Sequence, residues 1–475
     1  MHRFFCKETS AFQTMLLGET MAETATPTPQ APTLDDELTD KLDDQPADQP
    51  ADQPADQPLG SRFTALLTVT GLANLGDGVV QLGAPLVALT LTRSPVQISL
   101  LAAAAWLPWL ILGLAAGVVV DRRDRRWTQV IAMAARAALL AVGAWLLLTG
   151  HMTMALLVAI VLAYGVTEVF ADLAQSALVP DLVPRSRLSA ANGRVLATQQ
   201  VANTFVGGPV AALLLTLGAA WVLGIPAAMA LAAVLVLLRG IPGSYKHASD
   251  ERKSATTEVR EGVVYLWHNR VLRPLVLTAG VMNMANTAYF SLFILWVVGP
   301  GSRVELRAEH YPIVAMGLAV GAVAGSLVTE AITRRFAELR VLGLSWVLGP
   351  ALMVVPVLSP TIPTLAATVF AMGFIGTVGN TISQSLRQRI VPARMLGRVS
   401  GASRTLVYGL MPLGAVLGGL AAERWGLAPV LVAAAVVGIS ASLYPLLAIR
   451  AKDLADAEAA HAADEAAQPP TATRS

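Results

Sequence analysis

The chain has 475 residues, 55% of them hydrophobic and only 14% charged, with a mean hydropathy of +0.59 and a formal net charge of +2. Soluble domains carry about 25% charged residues, so the composition excludes an ordinary soluble globular protein, and so small a net charge gives no footing for nucleic-acid binding. The one cysteine, Cys6, excludes an intramolecular disulfide.

Residues 1–61 are polar and of low complexity: DDQP at Asp43–Pro46 is followed by repeats of ADQP from Ala47 to Pro58. Proline every fourth residue, acidic side chains and little to bury predict a disordered tail. The opening stretch MHRFFCKETSAFQTMLLGETM lacks the apolar core and small-residue cleavage site of a signal peptide. Met1, Met15 and Met21 all stand open as the start.

Beyond the tail, apolar runs recur with short breaks. A helix needs about 20 residues at ~1.5 Å each to cross a ~30 Å hydrocarbon core. Runs at 63–91, 96–120, 127–149, 153–179, 190–216, 219–239, 273–298, 312–332, 341–358, 362–386, 399–421 and 427–449 meet or approach that length. The expected fold is an all-α membrane protein of twelve transmembrane helices.

The basic residues orient it. Arg122, Arg123, Arg125, Arg126, Arg185, Arg187, Lys246, Arg252, Lys253, Arg260, Arg270, Arg334, Arg335, Arg340, Arg387, Arg389, Arg394 and Arg398 all fall at even-numbered gaps. The odd-numbered gaps hold only Arg93, Arg303, Arg307 and Arg424. Positive charge stays on the cytoplasmic side, so both termini are expected there, in the inner (plasma) membrane.

The longest internal gap, 240–272, divides the spans into halves at 62–239 and 273–450 and is read as a cytoplasmic linker; residues 451–475 read as a second disordered tail. Within the linker, TTEVREGVVYLWHNR places Val259, Val263, Leu266 and Trp267 on one helical face. That pattern predicts a short amphipathic helix at the membrane surface, tethering the halves.

A shift of 208 residues superimposes the halves: Val183–Pro184 on Val391–Pro392, Leu188 on Leu396, Gly117 on Gly325 and Arg126 on Arg334. A duplicated six-helix unit suits a transporter that rocks one half on the other, with its substrate between the halves near the midplane. At GVVVDRRDRR the resemblance becomes specific. Gly117-x3-Asp121-Arg122-x2-Arg125-Arg126 resembles the signature between helices 2 and 3 of the major facilitator superfamily. NLGDGVVQLGAPLVAL in helix 1 and LVPDLVPRSRLSAAN after helix 4 resemble the branch with enterobactin exporters and macrolide efflux proteins.

That resemblance implies a cytoplasmic latch between the halves. Gly113 and Gly117 form a GxxxG face for close helix approach. Asp121 is expected to meet the N-terminus of helix 11, whose dipole favours an anion. Arg125 is expected to pair with Asp172 in helix 4. The plainer reading of the cluster is a topology signal alone. In the second copy, Thr329 stands where Asp121 would be.

Asp77, Arg136, Glu168 and Asp172 are the ionisable residues well inside the predicted spans. A charge at mid-bilayer costs at least ~2.5–3.5 kcal/mol, so each needs a partner, a proton or water. The functional reading has Asp77 and Glu168 exchanging protons or engaging a cationic substrate, with Arg136 tuning them; the plain one is an ion-paired packing network. The sequence does not choose between Asp77 and Glu168 as proton carrier. Asn283, Asn286, Asn380 and Gln384 offer the second half's hydrogen bonds, to substrate or between helices. Gly207, Gly208 and Pro209 resemble a shortened Gly-Pro motif of antiporters, where proline kinks helix 5. Trp106, Trp109 and Trp145 either line a cavity or face lipid.

The expected function is secondary active transport, as proton-coupled export of a drug-like or siderophore-like molecule. Uptake or facilitated diffusion of a small metabolite is the alternative, as is a non-transporting sensor or scaffold on the same fold. An enzyme or primary pump is disfavoured: no Gly-Lys pair exists for a phosphate loop, no HExxH occurs, and the histidines lack metal-ligand spacing. Hence no cofactor or metal is expected beyond a proton gradient. The partners are the lipid bilayer, a small molecule and protons, acting on a monomer.

Overall fold

A computed structural model describes residues 59–246, 255–391, 393–449 and 452–453. Both expected disordered tails fall outside these residues, apart from the boundary positions Leu59–Ser61 and Lys452–Asp453. Twelve helices in it are long and apolar enough to cross a membrane. They are α1 Ser61–Leu91, α2 Pro95–Arg122, α3 Arg125–Leu148, α4 Met154–Leu182, α5 Leu188–Leu217 and α6 Trp221–Gly240. After a linker helix, Ala255–His268, come α7 Leu272–Val297, α8 Tyr311–Arg335, α9 Glu338–Leu358 and α10 Ile362–Ile390. Last are α11, in two segments Ala393–Gly409 and Met411–Trp425, and α12 Leu427–Ala448. An even number of crossings brings the chain ends back to one face, hereafter the terminus face.

The breaks between spans are written in capping chemistry. Ser94 precedes α2, its hydroxyl accepting from the Gln97 N–H, with Pro95 at the first helical position. Asp124 and Thr153 cap α3 and α4 in the same way. Gly426 separates α11 from α12 at φ +84°, a left-handed conformation that a side chain would strain.

The two halves repeat one packing scheme. In the first, α1 packs on α5 and α6, α2 on α4, and α3 on α4 and α6. In the second, α7 packs on α11 and α12, α8 on α10, and α9 on α10 and α12. Each contact in one set has its counterpart six helices later in the other, the structural image of the 208-residue repeat. The linker helix docks on the first segment of α11, with Leu266 buried in the second half's core. Trp267, expected on the same apolar face, is half exposed beside Val264.

The described buried apolar residues form three clusters. On the face away from the termini one continuous core joins the halves: Val79–Leu89 and Leu157 pack with Leu292–Val298 and Leu431. On the terminus face the described buried residues form two further clusters, one in each half. Phe63, Met133 and Leu178 anchor a cluster in the first half. Leu272, Trp346 and Leu386 anchor another in the second. Polar contacts reinforce the joined face: Arg93 Nη1 donates to the Val298 carbonyl at 2.7 Å and the Ser94 hydroxyl to Glu423 at 3.4 Å.

Candidate functional site

Three helices of the first half bring their mid-membrane polar residues together. Asp77 lies near the middle of α1, Arg136 of α3, and Tyr164 and Glu168 of α4. Arg136 Nη1 donates to Asp77 Oδ1 at 2.7 Å, and the Tyr164 hydroxyl donates to the same oxygen. The guanidinium lies 4.6 Å from the Tyr164 ring centroid, and its Nε donates to Thr167 Oγ1 at 3.4 Å. Arg136 is 3% exposed. Its charge is met by carboxylate, phenol, hydroxyl and π face, the satisfaction that a buried cation requires.

Glu168 follows Tyr164 by four residues, so the two share one face of α4. Its side chain is half-buried, and among the described residues it makes no hydrogen bond or ion pair. Glu168 and Asp172 both add to the electrostatic field at Arg136. The guanidinium is already committed to Asp77. Glu168 is therefore the mid-membrane carboxylate whose negative charge the geometry leaves available for a proton or a cation.

The α1 backbone is held against α5 at this level. A Cβ on Gly78 would lie 2.2 Å from the Asn203 carbonyl oxygen, so only glycine permits the approach. Gly207 meets the Gly78 backbone from the other side. The kink expected from Pro209 has a further cause: a π-helical turn spans Val201–Val206, and α-helix resumes at Gly207. Pro209 offers no N–H to the Phe205 carbonyl, and the wider turn just upstream accommodates that loss.

The second half carries a cavity of about 540 Å³. Asn283 and Asn286 of α7, Asn380 and Gln384 of α10 and Ser403 of α11 line it, and Trp346 of α9 and Tyr408 of α11 form aromatic walls. All its described lining residues belong to the second half, whereas duplication predicts a site between the halves. The link across is aromatic: Trp106 of α2 stacks on Tyr408 at 5.9 Å between centroids. Trp145 is 59% exposed and lines nothing there.

The charged loop after α2 departs from the expected latch. Arg125 Nη1 pairs with Asp181 at 2.8 Å and donates to the Ala177 carbonyl at 3.1 Å. Asp172, the expected partner, lies nine residues nearer the membrane centre, about 13 Å along α4. Arg125 opens α3 at the terminus face and meets the end of α4, where Asp181 sits. Arg126 is buried and donates to the carbonyls of Leu237 (3.3 Å), Leu238 (3.0 Å) and Gly243 (3.4 Å), capping α6. Asp124 accepts from the Ser244 hydroxyl at 2.6 Å and the Tyr245 N–H at 2.9 Å. Burial pushes the Asp124 carboxyl up, but bonds from Ser244, Trp127, Tyr245 and Arg126 outweigh it and hold the pKa below its ordinary value. Arg122 is exposed. Among the described residues, nothing lies within 4 Å of a Cβ placed on Gly113 or Gly117, so no close GxxxG approach is made among them. The Asp121 side chain and its expected meeting with α11 fall outside the described residues.

Asp181, Asp124 and Tyr164 are the contributors that charge and spacing alone passed over. Tyr164 carried one signal, its four-residue spacing from Glu168.

Residues 66–411 match the family described as Major Facilitator Superfamily. The multidrug efflux pump Tap of Mycobacterium tuberculosis (strain ATCC 25618 / H37Rv) is 27% identical over 410 residues, covering 82% of this chain and 94% of the relative. Tap of Mycolicibacterium fortuitum is 26% identical, covering 75% and 88%. Among solved structures, the nucleoside transporter NupG superposes with a TM-score of 0.61 at 14% identity, covering 81% of this chain and 98% of that one. A bacterial homologue of the human lysosomal transporter Spinster, inward-facing and occupied, gives 0.63 at 14% identity, covering 82% and 97%. At these identities the superpositions speak for the fold alone.

Proposed function

The chain belongs to the Major Facilitator Superfamily and is a multi-pass membrane transporter of that type, and on that premise we propose that it exports drug-like molecules in exchange for protons. The observation that carries the reading is the mid-membrane cluster. One fixed cation, Arg136, is matched to one carboxylate, Asp77, and a second carboxylate, Glu168, has no partner among the described residues. A charge of that kind at the bilayer centre is costly, and alternate protonation is the chemistry that relieves the cost. Glu168 is the proton carrier in this scheme and Asp77 the fixed counter-ion of Arg136.

Export of drugs is supported by relatives described as multidrug efflux pumps, which match along most of their length. This favours the drug-efflux side of the sequence resemblance over the siderophore side. Charge distribution between the gaps supports the inner membrane with both termini in the cytoplasm. The terminus face, where the described apolar cores of the two halves are separate clusters, then lies toward the cytoplasm, where an exporter collects its cargo.

The test is proton movement in proteoliposomes under a pH gradient, with ethidium as cationic and chloramphenicol as neutral cargo. Wild type is expected to couple proton flux to cargo, and Glu168→Gln to lose drug-dependent flux while remaining monodisperse. Undiminished coupled flux in Glu168→Gln removes Glu168 from the role. Absence of coupled flux with either cargo in the wild type overturns the multidrug reading.

A further inference from the structure

The charged cluster in the first half accounts for protons but leaves the second half's cavity unexplained. We infer that this cavity is a binding site for an uncharged aromatic molecule bearing amide and hydroxyl groups.

Four observations carry the inference. At about 540 Å³ the cavity matches sites that bury a drug-sized ligand. Its polar lining is overwhelmingly neutral: the amides of Asn286, half-buried, and of Asn380 and Gln384, both exposed, make no protein hydrogen bond among the described residues. Ser403 is 1% exposed, and its hydroxyl likewise has no partner. A hydroxyl buried to that degree is seldom left so. An amide presents donor and acceptor together, so the complementary ligand must offer both.

The lining also selects against cations. Among its described residues it contains no carboxylate, and its one cationic side chain is Arg387, toward the terminus-face end of α10. Among the described lining residues, a permanent cation entering here would meet no carboxylate to balance its charge. Flat apolar surface is provided by Trp346 and Tyr408, and ring faces accept offset or edge-on aromatic ligands. The unbranched side chains of Met282 and Met372 complete walls that adapt to shape.

The cavity is lined by four helices of the second half, α7, α9, α10 and α11. It passes between α7 and α10 to reach Ser345 and Pro350 on α9, a helix that packs on α10 and α12. A ligand bound there rests against Tyr408, which is stacked on Trp106 of the other half. Occupancy is thereby transmitted to the contact between halves through one aromatic pair. That last step rests on the transport reading; the binding itself does not.

The experiment is equilibrium binding to purified protein in lipid nanodiscs with no gradient present. The probes are tritiated chloramphenicol, uncharged with an amide and two hydroxyls, and tritiated tetraphenylphosphonium, a permanent cation. Saturable chloramphenicol binding is expected, weakened ~10-fold in Asn286→Leu and in Asn380→Leu, the effect of losing one buried hydrogen bond. Tetraphenylphosphonium is expected not to displace it. Ser403→Ala, a near-isosteric change, is expected to weaken binding severalfold and keeps the test decisive if either leucine variant fails to fold. Absence of saturable binding, equal binding in the variants, or displacement by tetraphenylphosphonium overturns the assignment. Binding without coupled proton flux spares this site and sinks the exchange reading. Coupled flux of ethidium without chloramphenicol binding does the reverse.

Discussion

At the scale of single residues, the question is why a membrane protein keeps an arginine in the middle of three helices. Arg136 is satisfied on several sides, by Asp77, Tyr164 and Thr167, so its removal strands a carboxylate. Breaking one member of a buried pair costs about 3–5 kcal/mol, whereas replacing both with apolar or neutral groups costs far less. Arg136→Met alone is expected to lower the thermal unfolding temperature in detergent sharply, and Arg136→Met with Asp77→Asn to recover most of it. Equal loss in the single and double variants would show that Arg136 acts through something other than Asp77. The candidate site was half legible at this scale. Ionisable side chains inside apolar runs announce themselves by their cost, which is why Asp77, Arg136 and Glu168 stand out in the sequence. What composition cannot reveal is the pairing. Tyr164 is neutral and common in membrane helices, and Asp181 sits in an unremarkable stretch until α4 is seen to end beside Arg125.

Among elements, the decisive contrast is between glycines that touch and glycines that do not. Gly78 holds α1 against the π turn of α5, with a Cβ there only 2.2 Å from the Asn203 carbonyl oxygen. Gly113 and Gly117 have no described neighbour where their side chains would be. Forcing a methyl into a filled contact costs about 1–3 kcal/mol, while in open space alanine is the better helix former. Gly78→Ala is therefore expected to destabilise, and Gly113→Ala and Gly117→Ala to leave thermal stability unchanged or raised. Melting in detergent checks this; a loss at Gly117 equal to that at Gly78 would mean that the latch glycine is packed in the resting state after all. The twelve spans were legible because a bilayer demands apolar runs of fixed length, and Pro95, Asp124 and Thr153 mark where they begin. The π turn was not, since Val201–Val206 has no residue that dictates it; it follows from where Pro209 and Gly207 fall against α1.

At the scale of the whole transporter, the apolar core itself records a conformational asymmetry. Among the described residues, one cluster runs unbroken between halves on the face away from the termini, and two separate clusters occupy the terminus face. Alternating access requires the first to come apart and a new seam to form where the second and third now stand separate. Polar groups at the joined face must be released in the same step, among them the Ser94–Glu423 hydrogen bond at 3.4 Å. A covalent tie there would hold the halves closed on that face while leaving the second-half cavity accessible from the other. With Cys6 replaced by serine, Ser94→Cys with Glu423→Cys, joined by a short bis-thiosulfonate linker, is expected to abolish transport in proteoliposomes. Reduction should restore it. Chloramphenicol binding in nanodiscs should persist in the linked state, because the cavity's lining lies within one half and needs no movement of the other. Undiminished transport in the linked protein would mean that this face does not open during the cycle, and the rocking scheme would have to give way to a smaller local motion.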